Sequence, residues 1–144
     1  MTARPKVKKI VSAIPIYAYF KPQGIPMIKL EIIKIDVEEL EALKLKDVEN
    51  LDQKSAAQRM GISRSTFQRL LSSARKKLVS SIIEGKALRV EGGNYIPDKN
   101  IIKTKCEKGN YHFFIKKDDI KDQDEIKLSK IKCPKCGKRL VNFQ

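Results

Sequence analysis

Between Asp36 and Gly85 the apolar residues recur at helical spacing in three runs. Val37, Leu40, Leu43 and Val48 mark the first. Asp36 and Glu39 stand ahead of it at capping-box spacing, which predicts a helix starting near Asp36. Ala56, Ala57 and Met60 mark a second, shorter run, with Asp52 as its N-cap and Gly61 as a left-handed end. The third opens at Ser63 and carries Phe67, Leu70, Leu71, Ala74, Leu78 and Ile82 on one apolar stripe, ending near Gly85. Before Asp36 the period is lost. Pro5, Pro15, Pro22 and Pro26 interrupt any helix, and "IPIYAYFKPQGIP" reads as extended with a turn near Pro22–Gly24. After Gly85 two β-type runs flank Gly92 and Gly93, a hairpin signal. From about Asn100 the runs are short and alternating. The pattern predicts a mainly α fold with a three-helix core, a β-hairpin and a small β tail. Its three parts are a basic extended arm (1–34), a helix-turn-helix domain with the hairpin (35–97), and a small zinc-ribbon-like domain (98–144).

The second and third runs are joined tightly. Two helices cross closely where side chains are small, as at Ala57, and Gly61 lets the chain reverse with positive φ. With Phe67 and Leu70 facing inward, this is the helix-turn-helix arrangement, whose second helix lies in the major groove. The outward face then carries Arg64, Ser65, Gln68, Arg69 and Ser72, side chains of the kind that read base edges. Ser63, Thr66, Arg75, Lys76 and Lys77 are better placed for phosphates. An ordinary helical hairpin with a charged outer face is the bland reading of the same residues.

Charge favours the first reading. Of 144 residues, 31 are Lys or Arg and 17 are Asp or Glu, for a net charge of +14. Such an excess points to a polyanionic partner, here double-stranded DNA. The first 30 residues hold no acid, and Arg4, Lys6, Lys8 and Lys9 would add phosphate or minor-groove contacts. No apolar run approaches the ~18 residues of a membrane span, and no signal-type core follows the basic N-terminus, so a cytoplasmic protein with no membrane partner is expected.

The stretches "ARP" (3–5), "YFKPQGIP" (19–26), "ELEALKLKDVENLDQKSAAQRMGISRSTFQRLLSSARKKL" (39–78) and "EGKALRVEGGNY" (84–95) carry a resemblance. The chain resembles an uncharacterised family of small prokaryotic proteins described as predicted DNA-binding. Their helix-turn-helix is similar to the promoter-reading one of sigma factors. The resemblance implies transcription-related DNA binding. One departure is Ser55, where Glu would complete a capping box with Asp52.

The function expected is a DNA-binding transcriptional regulator reading the major groove with helix 63–84, and a homodimer stays open. An adaptor touching RNA polymerase is an alternative. A recombinase-type enzyme is a weaker one: residues 1–35 are too short for a catalytic domain and offer only Ser12 as nucleophile, with no carboxylate before Glu31. No enzymatic activity is expected.

All three Cys lie in the tail. An odd count without an export signal argues against a disulfide framework and for free thiols or a metal. "CPKCGKRL" sets Cys133 and Cys136 on a tight knuckle, and tetrahedral zinc needs four ligands. Cys106 and the sole His, His112, would complete a structural Cys3His zinc site. His112, beside Phe113 and Phe114, also reads as a plain strand residue, and the tail as a ribbon that has lost its metal.

Overall fold

The computed structural model describes residues 7–15, 18–108, 112–116, 132–133 and 136–142. The chain forms two compact units, Met1–Val11 with Ala18–Ile96, and Ser12–Tyr17 with Pro97–Gln144.

In the first unit, helix α1 (Val37–Leu43) opens at Asp36, whose backbone N–H donates to Glu39 Oε1 at 3.1 Å. A π-helical turn, Lys44–Val48, continues it and buries Leu45. Helix α2 (Gln53–Met60) opens at Asp52, whose Oδ1 accepts the Ser55 N–H at 2.7 Å. The Ser55 hydroxyl donates to Oδ2 of the same carboxylate at 3.2 Å, a second bond across the cap. The chain reverses at Gly61, with φ +67°. Helix α3 (Arg64–Ile83) begins after Ser63, whose Oγ accepts the Thr66 N–H at 3.2 Å. Phe67, Leu71, Leu45, Met60, Ile35 and Val11 are the largest apolar side chains of this core.

The expected mainly α fold is corrected to a mixed one. Eight strands in three sheets accompany the three helices among the described residues. β4 (Ala87–Val90) lies between β2 (Tyr19–Phe20), antiparallel to it, and β3 (Ile32–Ile35), parallel to it. β1 (Lys9–Val11) pairs with β5 (Tyr95–Pro97). The prolines of the N-terminal stretch break helices, as expected, but they fall outside β1, β2 and β3. Those short extended pieces take their ladder bonds from chain that follows α3. Such pairing is non-local and leaves no trace in local periodicity.

The hairpin is also corrected, because β4 and β5 do not pair with each other. Gly92 and Gly93 bridge to α1 instead. The Gly92 carbonyl accepts the Val37 N–H at 3.2 Å, and Glu38 Oε1 accepts the Asn94 N–H at 3.1 Å. A Cβ on Gly93, at φ +104°, would collide with the Glu38 carboxylate. A third correction concerns Ile82, read as part of the inward stripe. It is 74% exposed, as are Val79 and Ile83 in large part. A helix of 20 residues outruns its core, and a stripe read at spacing four drifts off the buried face.

In the second unit, β6 (Ile101–Cys106) is the central strand, antiparallel to both β7 (His112–Lys116) and β8 (Leu140–Asn142). Ile102, Thr104 and Cys106 share a face with Phe113 and Ile115, by the register Thr104↔Phe113 and Ile102↔Ile115. Among the described residues no helix is long and apolar enough to cross a membrane.

Candidate functional site

Ser63 fixes where α3 begins, and Phe67, Leu71 and Ala74 fix which side faces the core. At ~100° per residue, the exposed polar positions Arg64, Ser65, Gln68, Arg69, Ser72, Arg75 and Lys76 fall on one arc of about 140°. The residues expected to contact bases therefore do share an exposed face. Its two guanidinium-bearing flanks are not equivalent. Arg64 Nε donates to Gln53 Oε1 on α2 at 3.3 Å. Arg75 is held by Asp47, with Nε at 3.2 Å and Nη2 at 2.6 Å from the two carboxylate oxygens. That hydrogen-bonded pair lowers the Asp47 pKa and raises that of Arg75. Arg75, expected at a phosphate, thus also ties α3 to the π-helical turn. Ser63 and Thr66 are likewise engaged in the cap, Ser63 Oγ donating to Thr66 Oγ1 at 2.9 Å.

On the other flank, Lys9, Asp36, Glu39, Thr66, Arg69 and Lys77 line a shallow cleft. Lys9 reaches this position because its backbone N–H bonds the Asn94 carbonyl at 3.1 Å. Lys8 is exposed beside it. Arg4 and Lys6 lie outside the described residues. Lys77 Nζ sits 2.5 Å from Oε1 of Glu39, which is 2% exposed. Lys77, read as a phosphate contact, is also the counter-ion of a buried carboxylate. Burial pushes the Glu39 pKa up, but hydrogen bonds from Lys77, Ser73 and the Asp36 amide, with the Lys77 charge, bring it below the ordinary value. These two pairs, Glu39–Lys77 and Asp47–Arg75, escape a sequence reading because nothing local marks partners 38 and 28 residues apart. The one signal was that Glu38, Glu39 and Glu41 crowd a seven-residue helix, so some carboxylate must turn inward.

In the second unit the ligand atoms of Cys106, Cys133 and Cys136 lie within 4.8 Å of one another. Cys106 comes from the end of β6, and its Sγ is 3.3 Å from that of Cys136. Cys133 and Cys136 come from a knuckle closed by Gly137, with φ +71°, whose N–H donates to the Cys133 carbonyl at 2.8 Å. The Cys133 N–H donates to the Lys138 carbonyl at 2.7 Å, and Lys132 bridges Arg139. Cys106 and Cys133 are buried and Cys136 is exposed. The Lys138 amide favours the Cys136 thiolate, but hydrogen bonds with the Cys106 and Cys133 sulfurs and partial burial outweigh it and raise the Cys136 pKa. Three sulfurs this close resist joint ionisation until a cation sits among them, so the donor set fits a metal ion.

His112 does not join them. It pairs with Lys105, and neighbours along a strand alternate in direction. Cys106 therefore points to one face of the sheet, and Lys105 with His112 to the other. The Cys3His expectation is corrected to three thiols.

The geometry defines a small mixed α/β protein with a tightly turned helix pair, α2 and α3, in one unit and a three-thiol knuckle in the other. Residues 1–98 match the family described as "Protein of unknown function DUF134", and the chain belongs to that family. It is 42% identical over 134 residues to a UPF0251 protein of Desulforudis audaxviator, covering 93% of this chain and 81% of that one. A UPF0251 protein of Halothermothrix orenii is also 42% identical over 134 residues, covering 93% and 94%. One from Methanosarcina acetivorans is 50% identical over 93 residues, covering 65% and 83%. No solved structure matches.

Proposed function

We propose that this protein binds double-stranded DNA through α3 and regulates transcription from the sites it reads. One observation carries the proposal: α3 runs for 20 residues without an acid, while its exposed arc presents Arg64, Ser65, Gln68, Arg69, Ser72 and Lys76. Gln68, Arg69 and Ser72 would meet base edges, and Lys76, Lys8 and Lys9 would meet phosphates. With Arg4 and Lys6 of the N-terminal arm counted as well, neutralising about five phosphates would give log K against log salt a slope of about −4 to −5. A titration of a random duplex library and of its selected winner is the test. A salt slope near zero, or equal affinity for both duplexes, defeats the proposal.

In the same reading the cysteine knuckle holds one zinc ion, which supports the fold of the second unit. Metal analysis of the reduced chain, with one zinc expected per molecule, tests that part separately.

A further inference from the structure

We propose that the thiol trio is an open metal site, with three ligands from the chain and a fourth taken from a small anionic thiol in solution. The inference rests on the metal-binding reading of the knuckle. Zinc and cobalt in thiolate sites take four ligands in a tetrahedron. The chain holds three Cys and one His, and no other residue of either kind. His112 is directed to the far face of the β7–β6–β8 sheet by its pairing with Lys105, so it cannot reach the sulfurs without breaking that register. Among the described residues, no further His, Cys or carboxylate joins the three sulfurs.

The site is also reachable. Cys106 and Cys133 are buried, but Cys136 stands at an exposed rim. Lys132, Lys138 and Arg139 are exposed around the knuckle. A divalent ion with three thiolates carries a net charge of −1, and a fourth thiolate takes it to −2. The three cations offset that charge and attract an anionic ligand. No redox step is involved. The incoming thiol loses its proton to solvent and forms one metal–sulfur bond, displacing water.

Cobalt(II) loading of the reduced, full-length chain under anaerobic conditions tests this, with mercaptoacetate as the added thiol. One cobalt per chain is expected, with a thiolate-to-cobalt charge-transfer band set by three sulfurs. Mercaptoacetate should raise that band by about a third as a fourth sulfur joins. Cys136→Ser, changed at the exposed rim where folding is least at stake, should lower the starting band by about a third. A tetrahedral spectrum that millimolar mercaptoacetate leaves unchanged would overturn the open site while keeping the metal. No cobalt bound to the reduced chain would overturn the metal reading itself, and a full-strength band in Cys136→Ser would remove Cys136 from the ligand set.

Discussion

In the first unit Phe67, Ile35, Leu45, Met60, Leu71 and Val11 are shut away from water, contributed by three helical segments and two strands. In the second, the fully buried side chains among the described residues are Thr104, Cys106 and Cys133, with Phe113 and Ile115 nearly so. One unit spends its sequence on apolar volume. The other places thiols where a core would be. Burial of a large apolar side chain stabilises by about 1.5–3 kcal/mol, whereas ligation of a structural zinc is of the order of 10 kcal/mol. Two units of one chain can thus be stable for different reasons, and they should fail under different insults.

The sharpest break in that comparison is Cys133→Ser. The expected outcome is loss of metal and of amide protection across β6 and β7, with α1–α3 unaffected. Hydrogen exchange followed segment by segment reads both halves at once. Chelation of the unaltered protein should give the same pattern. If α3 loses protection too, the units are not independent.

Phe67→Ala is the converse. Phe67 is 0% exposed, so truncation should destabilise the first unit by about 3–5 kcal/mol. Denaturant unfolding followed by helical circular dichroism measures it. Metal content should stay at the wild-type value.

Acid should also separate the units, and Lys77→Met sharpens the test. The Glu39 pKa is lowered in the fold from an ordinary 4.5. A depressed carboxylate adds stability above its unfolded pKa, and that stability is lost as pH falls through the folded value. Unfolding of the first unit should therefore become easier below about pH 4.5. Removing Lys77 leaves Glu39 buried without its cation. Because Lys77 is itself a third exposed, the cost at neutral pH should be about 1–3 kcal/mol. The loss of stability on the acid side should shrink, since the main lowering influence has gone. A pH profile identical to the wild type would remove Glu39 from the account.

What could be read from the chain follows the same division. The three helices, the caps at Asp52 and Ser63 and the turn at Gly61 were legible because each rests on neighbours within four residues. The pairing of Cys106 with the knuckle was legible because thiols have few other uses in such a chain. The pairing of β2 and β3 with β4 was not, because the partners lie across α1, α2 and α3 in sequence. His112 was misread for a related reason. Which face a strand residue takes depends on register, and shifting by one residue reverses it. The counter-ions of Lys77 and Arg75 are fixed by packing alone. The exposed arc of α3 was legible in its residues, but the carboxylates that pair with two of the cations assigned to phosphate were not.

The smallest effect expected comes from comparing two glycines. Gly61 and Gly93 both hold positive φ, at +67° and +104°. A sequence reading treats them alike, as turn residues. At Gly61 an added Cβ would meet only the Ile10 side chain, at 3.4 Å from Cδ1, an ordinary contact. Gly61→Ala should thus cost only the left-handed conformation itself, about 1 kcal/mol. At Gly93 the Cβ would run into the Glu38 carboxylate, which holds the Asn94 N–H. Gly93→Ala must move that carboxylate or the loop as well, so about 2–3 kcal/mol is expected. Val37 N–H, bonded to the Gly92 carbonyl, should exchange faster in the Gly93 variant and not in the Gly61 variant. Equal destabilisation by the two substitutions would mean that Gly93 is only a turn, and that the bridge from α1 to the loop before β5 carries no stability of its own.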